Sequence, residues 1–362
     1  MPLRGAQRSQ SGALHNLPAN SSTYQRFQPK GHRVMTNETN TTEVAPGLMR
    51  IVAPIGERFI ASYLFRGEEA SLIVDTGFDS SAREVFIPAL ESLGVTPESL
   101  KYVVSTHCDF DHTGGNAAFR EWSPNATFVA GEADRHQTES VEALIVERYG
   151  ELACHGVDET EESKAGIRAA TQLTRVDVGM RGEETFRLSE DWKVCLVHTP
   201  GHSYGSVSIW DPRSRAFVIG DAVLGATVPL ANGEPAFPPT YRYLDDYLAT
   251  VALVRKFAPA LLLTSHYRVM DAEAATDFLD ETTKFVDELQ SSIDSQLAEG
   301  PQTLTSIING AAPLFGPWDP TAWPYLGLPV YGHVERMQAR GELEIDHSTT
   351  PPTVRSVAGV AS

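Results

Sequence analysis

Ser105-Thr106-His107-Cys108-Asp109-Phe110-Asp111-His112-Thr113-Gly114-Gly115 sets four potential metal ligands, His107, Asp109, Asp111 and His112, within six consecutive residues. Carboxylates and imidazoles crowded this closely are costly to bury unless a cation offsets their desolvation and mutual repulsion. The run follows the apolar, strand-like Tyr102-Val103-Val104 and precedes a Gly-Gly turn. That order places the ligands on a loop at the end of a strand, where a rigid sheet can hold them.

Three later segments repeat the arrangement. Thr199-Pro200-Gly201-His202-Ser203 follows Val194-Cys195-Leu196-Val197, Gly220-Asp221-Ala222 follows Ala216-Phe217-Val218-Ile219, and His266 follows Leu261-Leu262-Leu263-Thr264-Ser265. Each is an apolar β-type run ending in one His or Asp. Strands that each deliver one ligand at a common sheet edge can assemble a metal site from distant parts of a chain.

In this order His107-x-Asp109-x-Asp111-His112, His202, Asp221 and His266 resemble the metallo-β-lactamase superfamily, and Ile73-Val74-Asp75-Thr76-Gly77 fits that family's first motif segment. The resemblance runs from about Ala45 to about His266. It implies an α/β fold, a four-layer αβ/βα sandwich of two mixed sheets with helices outside. The alternation of apolar strands and helical stretches supports the same layering, as does the apparent hairpin of Val207–Trp210 and Ala216–Ile219. Carried over by position, the resemblance implies a first metal on His107, Asp109 and His202, a second on Asp111, His112 and His266, and Asp221 bridging them. The usual motif is His-x-His-x-Asp-His, and Asp109 stands where the second His would be. A carboxylate there shifts preference toward iron or manganese, while imidazole still suits zinc. The alternative is a single metal on Asp111, His112, Asp221 and His266. Asp75 reads as bracing a ligand loop.

The expected chemistry is metal-assisted hydrolysis by hydroxide formed from a water whose pKa the metal lowers. Zinc, one or two per chain, is the expected cofactor, with Asp111, Asp109 and Asp221 as the catalytic carboxylates. The bond is expected to be an ester, lactone, thioester or amide of a small molecule, or an activated aryl chloride. Two other readings stay open. Flavodiiron relatives carry His-x-Glu-x-Asp-His, so a diiron oxidoreductase is one, although no flavodoxin-like segment is present. A non-catalytic metal-binding module is the other.

Composition bounds the partners. A chain of 362 residues with 41% hydrophobic content can bury a large core, and a net charge of −18 argues against nucleic acid. No apolar run approaches membrane-spanning length. Three cysteines without paired spacing suggest a reducing, cytoplasmic compartment. Residues 1–44 and 349–362 read as disordered, and 45–270 as the catalytic domain.

A helical insert is expected at about 132–176, with Val141, Leu144, Ile145, Val146 and Tyr149 inward and Glu139, Glu142, Glu147 and Arg148 in water. Two readings of it stand open, a lid over the metal site and a surface decoration between the sheet halves. The Pro-rich stretch 224–241 suits one wall of a pocket, with Tyr204 and Tyr241 as substrate contacts. Residues 271–299 read as one amphipathic helix capped by Asp271. Residues 271–348 end in a helix, a Gly turn and a short strand, a small winged-helix-like element. Together with a Trp-rich loop it suggests a homodimer.

Overall fold

The computed structural model describes residues 40–357. The first sheet has the order β1 (Thr41–Ala45), β2 (Leu48–Ile55), β3 (Arg58–Arg66), β4 (Ser71–Val74), β5 (Leu100–Ser105), β6 (Thr127–Gly131), β7 (Val178–Met180). It is antiparallel through β4 and parallel from β4 to β7. The second sheet contains β8 (Thr185–Arg187), β9 (Lys193–His198), β10 (Val207–Asp211) and β11 (Ala216–Gly220). After a ribbon of β12 (Val228–Pro229) and β13 (Pro235–Phe237), β14 (Leu261–Thr264) and β15 (Met270–Asp271) complete it, in the order β15-β14-β11-β10-β9-β8.

Side-chain alternation along the strands explains the layers. On β4, Leu72 and Val74 join Val194, Leu196, Val207, Ile209 and Val218 of the second sheet in one buried cluster, while Ile73 faces the other way. On β11, Ala216 and Val218 point into that inter-sheet core, whereas Phe217 and Ile219 point out toward helices. Two further cores lie outside the sheets. Phe86, Leu90 and Phe119 cover the first sheet. Helices Leu244–Phe257, Ala272–Ala298, Leu304–Phe315 and Gly327–Ala339 cover the second. The result is the αβ/βα sandwich.

The long amphipathic helix spans Ala272–Ala298, and the Asp271 side chain accepts from Ala274 N–H at its start. After the Gly327–Ala339 helix come β17 (Leu343–Asp346) and β18 (Thr353–Ser356), which join β16 (Gln302–Thr303) in a three-stranded sheet. The expected disordered tail is therefore structured at Thr353–Ser356, because Val354 is buried in the outer core and its backbone pairs on both sides. At the other end, Thr41–Ala45 is a strand on β2 rather than part of an unstructured extension. Residues 1–39 and 358–362 lie outside the described residues. Among the described residues, no helix is long and apolar enough to cross a membrane.

Topology positions the site. β4 and β5 are parallel, so their C-terminal ends share an edge, and so do those of β11 and β14. Two antiparallel pairings, β9 with β10 and β10 with β11, give β9 the direction of β11. Asp75, His107, His202, Asp221 and His266 therefore all emerge at one edge of the sandwich. The two sheets are tied there by Val207 N–H to the Thr106 carbonyl (2.8 Å) and Ala61 N–H to the Ser265 carbonyl (2.8 Å).

Candidate metal centre and pocket

Seven residues converge at that edge. Ligand-type atoms of His107, Asp109 and His202 lie within 4.8 Å of one another, as do those of Asp111, His112 and His266, and those of His107, His112 and Asp221. All seven positions singled out in the sequence are thus brought together. His107, His112, His202, Asp221 and His266 are buried.

The hydrogen bonds on the far side of each imidazole fix where its lone pair points. A carbonyl oxygen can only accept. His202 Nδ1 therefore donates to the Thr240 carbonyl (3.0 Å), and His266 Nδ1 to the Phe59 carbonyl (2.9 Å). His112 Nδ1 donates to Asp75 Oδ2 (2.9 Å). The Thr106 hydroxyl spends its proton on Asp75 Oδ2 (2.8 Å), so at 3.0 Å it accepts from His107 Nδ1. Four Nε2 lone pairs are left facing inward, together with the acceptor-only carboxylates of Asp109, Asp111 and Asp221. His107 Nε2, His112 Nε2 and Asp221 Oδ1 are buried with no hydrogen-bond partner among the described residues. Buried acceptors left without donors, as these three are, fit a divalent cation and are expensive without positive charge. Burial alone would lower the pKa of His112, but Asp221, Asp111 and Asp75 outweigh it and push it well above the ordinary value. The field at this point draws in positive charge.

Asp75 is the brace. It is buried, accepts from Thr106 N–H (2.7 Å) as well as from the Thr106 hydroxyl and His112, and has φ of 62°. Asp tolerates that left-handed conformation better than most residues. Cys108 is buried, and burial raises its thiol well above the ordinary value, which suits packing rather than reactivity.

Arg148 is the residue that sequence reasoning misplaced. It is buried, not in water, and its Nε and Nη2 meet Asp109 Oδ1 and Oδ2 at 3.0 and 3.3 Å. Its Nη2 also reaches His202 Nε2 at 3.2 Å. Burial alone would raise the Asp109 carboxyl, but Arg148, His107 and His202 together outweigh it and hold the group well below the usual carboxylate range. Burial and Arg148 together keep His202 below its ordinary value and hence neutral. The insert is a series of short helical pieces between 132 and 170, with a π-helical turn at Leu144–Tyr149. Arg148 stands four residues after Leu144 and three after Ile145, on the same helical face as those buried residues. Val146, expected inside, is 65% exposed, because it falls on the opposite side.

A cavity of about 160 Å³ opens onto Asp109, Asp111, His202, Asp221 and His266. The insert supplies one wall with Tyr149, Leu152, Val157 and Ile167. Phe237 and Thr240 come from the Pro-rich stretch, and Pro324, Tyr325 and Leu328 from the C-terminal region. The Tyr149 hydroxyl accepts from Phe110 N–H (3.1 Å), and burial pushes its pKa well up, so it keeps its proton.

The two tyrosines expected to contact substrate do not line this cavity. Tyr241 is fully buried, stacked on Tyr247 at 4.4 Å, with its hydroxyl 3.0 Å from His333 Nε2. The residue before it turns its carbonyl to His202, and Tyr241 turns the other way into the helical core. Tyr204 is 54% exposed on the outer side of its loop, edge-on to Tyr243 at 5.4 Å. Tyr149 and Tyr325 take the aromatic places instead.

Comparison with known proteins agrees with this fold. A family model described as the metallo-beta-lactamase superfamily matches residues 55–266. An N-acyl homoserine lactonase of Bacillus sp is 26% identical over 205 residues, covering 51% of this chain and 68% of that protein. An acyl-coenzyme A thioesterase of Gallus gallus is 25% identical over 233 residues, covering 60% and 78%. The crystal structure of a metallo-beta-lactamase family protein from Thermus thermophilus superposes with a TM-score of 0.66 at 18% identity, covering 87% of this chain and all of that one.

Proposed function

Because the chain belongs to the metallo-β-lactamase superfamily and is a metallo-hydrolase of that kind, we propose that it hydrolyses small esters, lactones or thioesters with an apolar acyl group. The observation that carries this is the position of the inward-facing lone pairs at the mouth of a cavity walled by Tyr149, Leu152, Ile167, Phe237 and Leu328. Apolar walls favour a substrate in proportion to the apolar area they remove from water. The lactonase and thioesterase among its relatives act, by their names, on acyl compounds.

Asp111, His112, Asp221 and His266 would hold a divalent cation, zinc being the expected one. When bound, that ion supplies an activated water at neutral pH and polarises a carbonyl. Asp75 keeps the His112 lone pair aimed inward. Asp111, a partly exposed carboxylate on the cavity wall, is placed to take a proton from the attacking water and return it to the leaving group. Asp109, held ionised by Arg148, is a poor proton donor. The Tyr149 hydroxyl is free to donate to the oxygen that becomes negative during attack. The engagement of Asp109 by Arg148 weighs against the diiron reading, which uses that carboxylate as a metal ligand.

The test is an acyl-chain series of p-nitrophenyl esters, lactones and coenzyme A thioesters, run before and after chelation. The expected result is hydrolysis that EDTA abolishes and zinc restores, with kcat/KM rising with acyl length. Leu328→Trp, which fills the cavity, is expected to cut long-chain rates and spare short-chain ones. Chelator-insensitive hydrolysis, or oxygen uptake by an iron-loaded protein that hydrolyses none of the series, would sink the reading.

A further inference from the structure

We infer that Arg148 takes the place of a first metal ion, so that the protein binds one divalent cation per chain, on Asp111, His112, Asp221 and His266. The inference deepens the metallo-hydrolase reading above and rests on it.

The first position does not fit a metal as it stands. His202 has committed Nδ1 to the Thr240 carbonyl, so its remaining ring nitrogen offers one in-plane lone pair. Arg148 Nη2 donates to that lone pair at 3.2 Å. The same guanidinium grips both oxygens of Asp109, at 3.0 and 3.3 Å. A guanidinium only donates and does not give up its proton. A metal held by Asp109 and His202 would have to take the lone pair that Arg148 uses, and would sit beside a fixed positive charge. Arg148 is itself buried, which strengthens that repulsion. Asp109 Oδ2 and His202 Nε2, two acceptors 2.9 Å apart, are bridged by Nη2 of the guanidinium.

The second position differs in every respect. Its members face one another: His112 Nε2 lies 3.8 Å from Asp111 Oδ1 and 3.6 Å from Asp221 Oδ2. His112 Nε2 and Asp221 Oδ1 have no hydrogen-bond partner among the described residues, and His266 Nε2 lies 3.2 Å from Asp221 Oδ2 and 3.5 Å from Asp111 Oδ2. His107 Nε2 is also within 4.8 Å of ligand atoms of His112 and Asp221, so its lone pair stays available to that ion or its water. The replacement of a neutral imidazole by Asp109 is thus matched by a cation that the chain itself provides.

The experiment is zinc titration of the full-length apo-protein, followed by removal of free metal and elemental analysis, on the wild type and on Arg148→Ala. Circular dichroism confirms that each sample is folded. One zinc per wild-type chain and two per Arg148→Ala chain are expected, since the variant frees Asp109 and His202 to join His107. Two zincs on the wild type would overturn the inference and leave the hydrolase reading intact. A folded Arg148→Ala that still binds one would also overturn it. If that variant does not fold, Arg148→Met, which keeps the length and removes the charge, replaces it, and the wild-type count alone still decides. No zinc on the wild type would overturn the metallo-hydrolase reading together with the inference.

Discussion

Nδ1 of His112 donates to Oδ2 of Asp75 at 2.9 Å across 37 residues of sequence, and this bond decides which way the imidazole presents its lone pair. Asp75 accepts from three donors at once: Thr106 N–H, the Thr106 hydroxyl and His112. An amide in its place has one acceptor end only. Its NH2 end would face either the Thr106 N–H or the His112 N–H, donor against donor. Asp75→Asn is therefore expected to weaken zinc binding by about 10- to 100-fold, the usual effect of losing a partner behind a ligating His. Competition titration against a chromophoric chelator measures it. An affinity unchanged within threefold would show that the bond does not orient His112.

Tyr149 offers a second test, this one of the chemical step. Its hydroxyl accepts from Phe110 N–H at the wall of the cavity, and burial keeps it protonated. A donor that meets charge developing only in the transition state acts on kcat rather than on KM. Tyr149→Phe is expected to lower kcat by about 100-fold on whichever acyl substrate the wild type turns over, with KM little changed. A kcat within twofold of the wild type would remove Tyr149 from the mechanism.

The strand-end ligands were legible because each rule that places them is local. His107, His202, Asp221 and His266 each end an apolar run, and parallel pairing of β4 with β5 and of β11 with β14 brings those ends to one edge. Arg148 was also within reach. It shares the 3.6-residue face of Val141, Leu144 and Ile145, but its charge points to water, and charge is the wrong guide here because its partner Asp109 lies 39 residues away. Tyr241 failed for a related reason. Its neighbour Thr240 touches His202, and adjacency in sequence does not carry over to adjacent directions of side chains. Tyr325 had no local signal, since it reaches the cavity from a Pro-rich turn whose docking depends on the whole outer core.

His333 predicts an acid limb in stability. It is fully buried between Tyr241 and Gln290, with Nε2 3.0 Å from the Tyr241 hydroxyl and Nδ1 2.8 Å from Gln290 Oε1. Burial, reinforced by Arg336, pulls its pKa from the ordinary 6.5 down to about 3. Between these values the unfolded chain binds a proton at this position that the folded chain refuses. Stability is therefore lost as pH falls through that window, at up to roughly 1.4 kcal/mol per pH unit from this one group. His333→Gln, which has no such proton to take up, is expected to be less stable at pH 7 and to lose less on going from pH 6.5 to pH 4. Urea unfolding at the two pH values checks it, and parallel slopes for variant and wild type would refute it.

Gly201 is expected to be the least replaceable position on the His202 loop. Its φ is 140°, a conformation that L side chains rarely adopt, and a Cβ there would stand 2.5 Å from Tyr247 Cα and 2.8 Å from Tyr247 N. Neither obstacle is a flexible side chain. The loop also has little room to yield, because the Gly201 carbonyl accepts from Arg242 N–H at 2.7 Å and Tyr243 N–H at 2.8 Å. Backbone strain and overpacking each cost about 1–3 kcal/mol. Gly201→Ala is accordingly expected to lower stability by roughly 2–5 kcal/mol and Tm by roughly 5–10 °C, within the usual relation between the two. Scanning calorimetry reads the shift directly. A Tm within 1 °C of the wild type would mean that Tyr247 and the start of its helix give way, and that the placement of His202 does not depend on this contact.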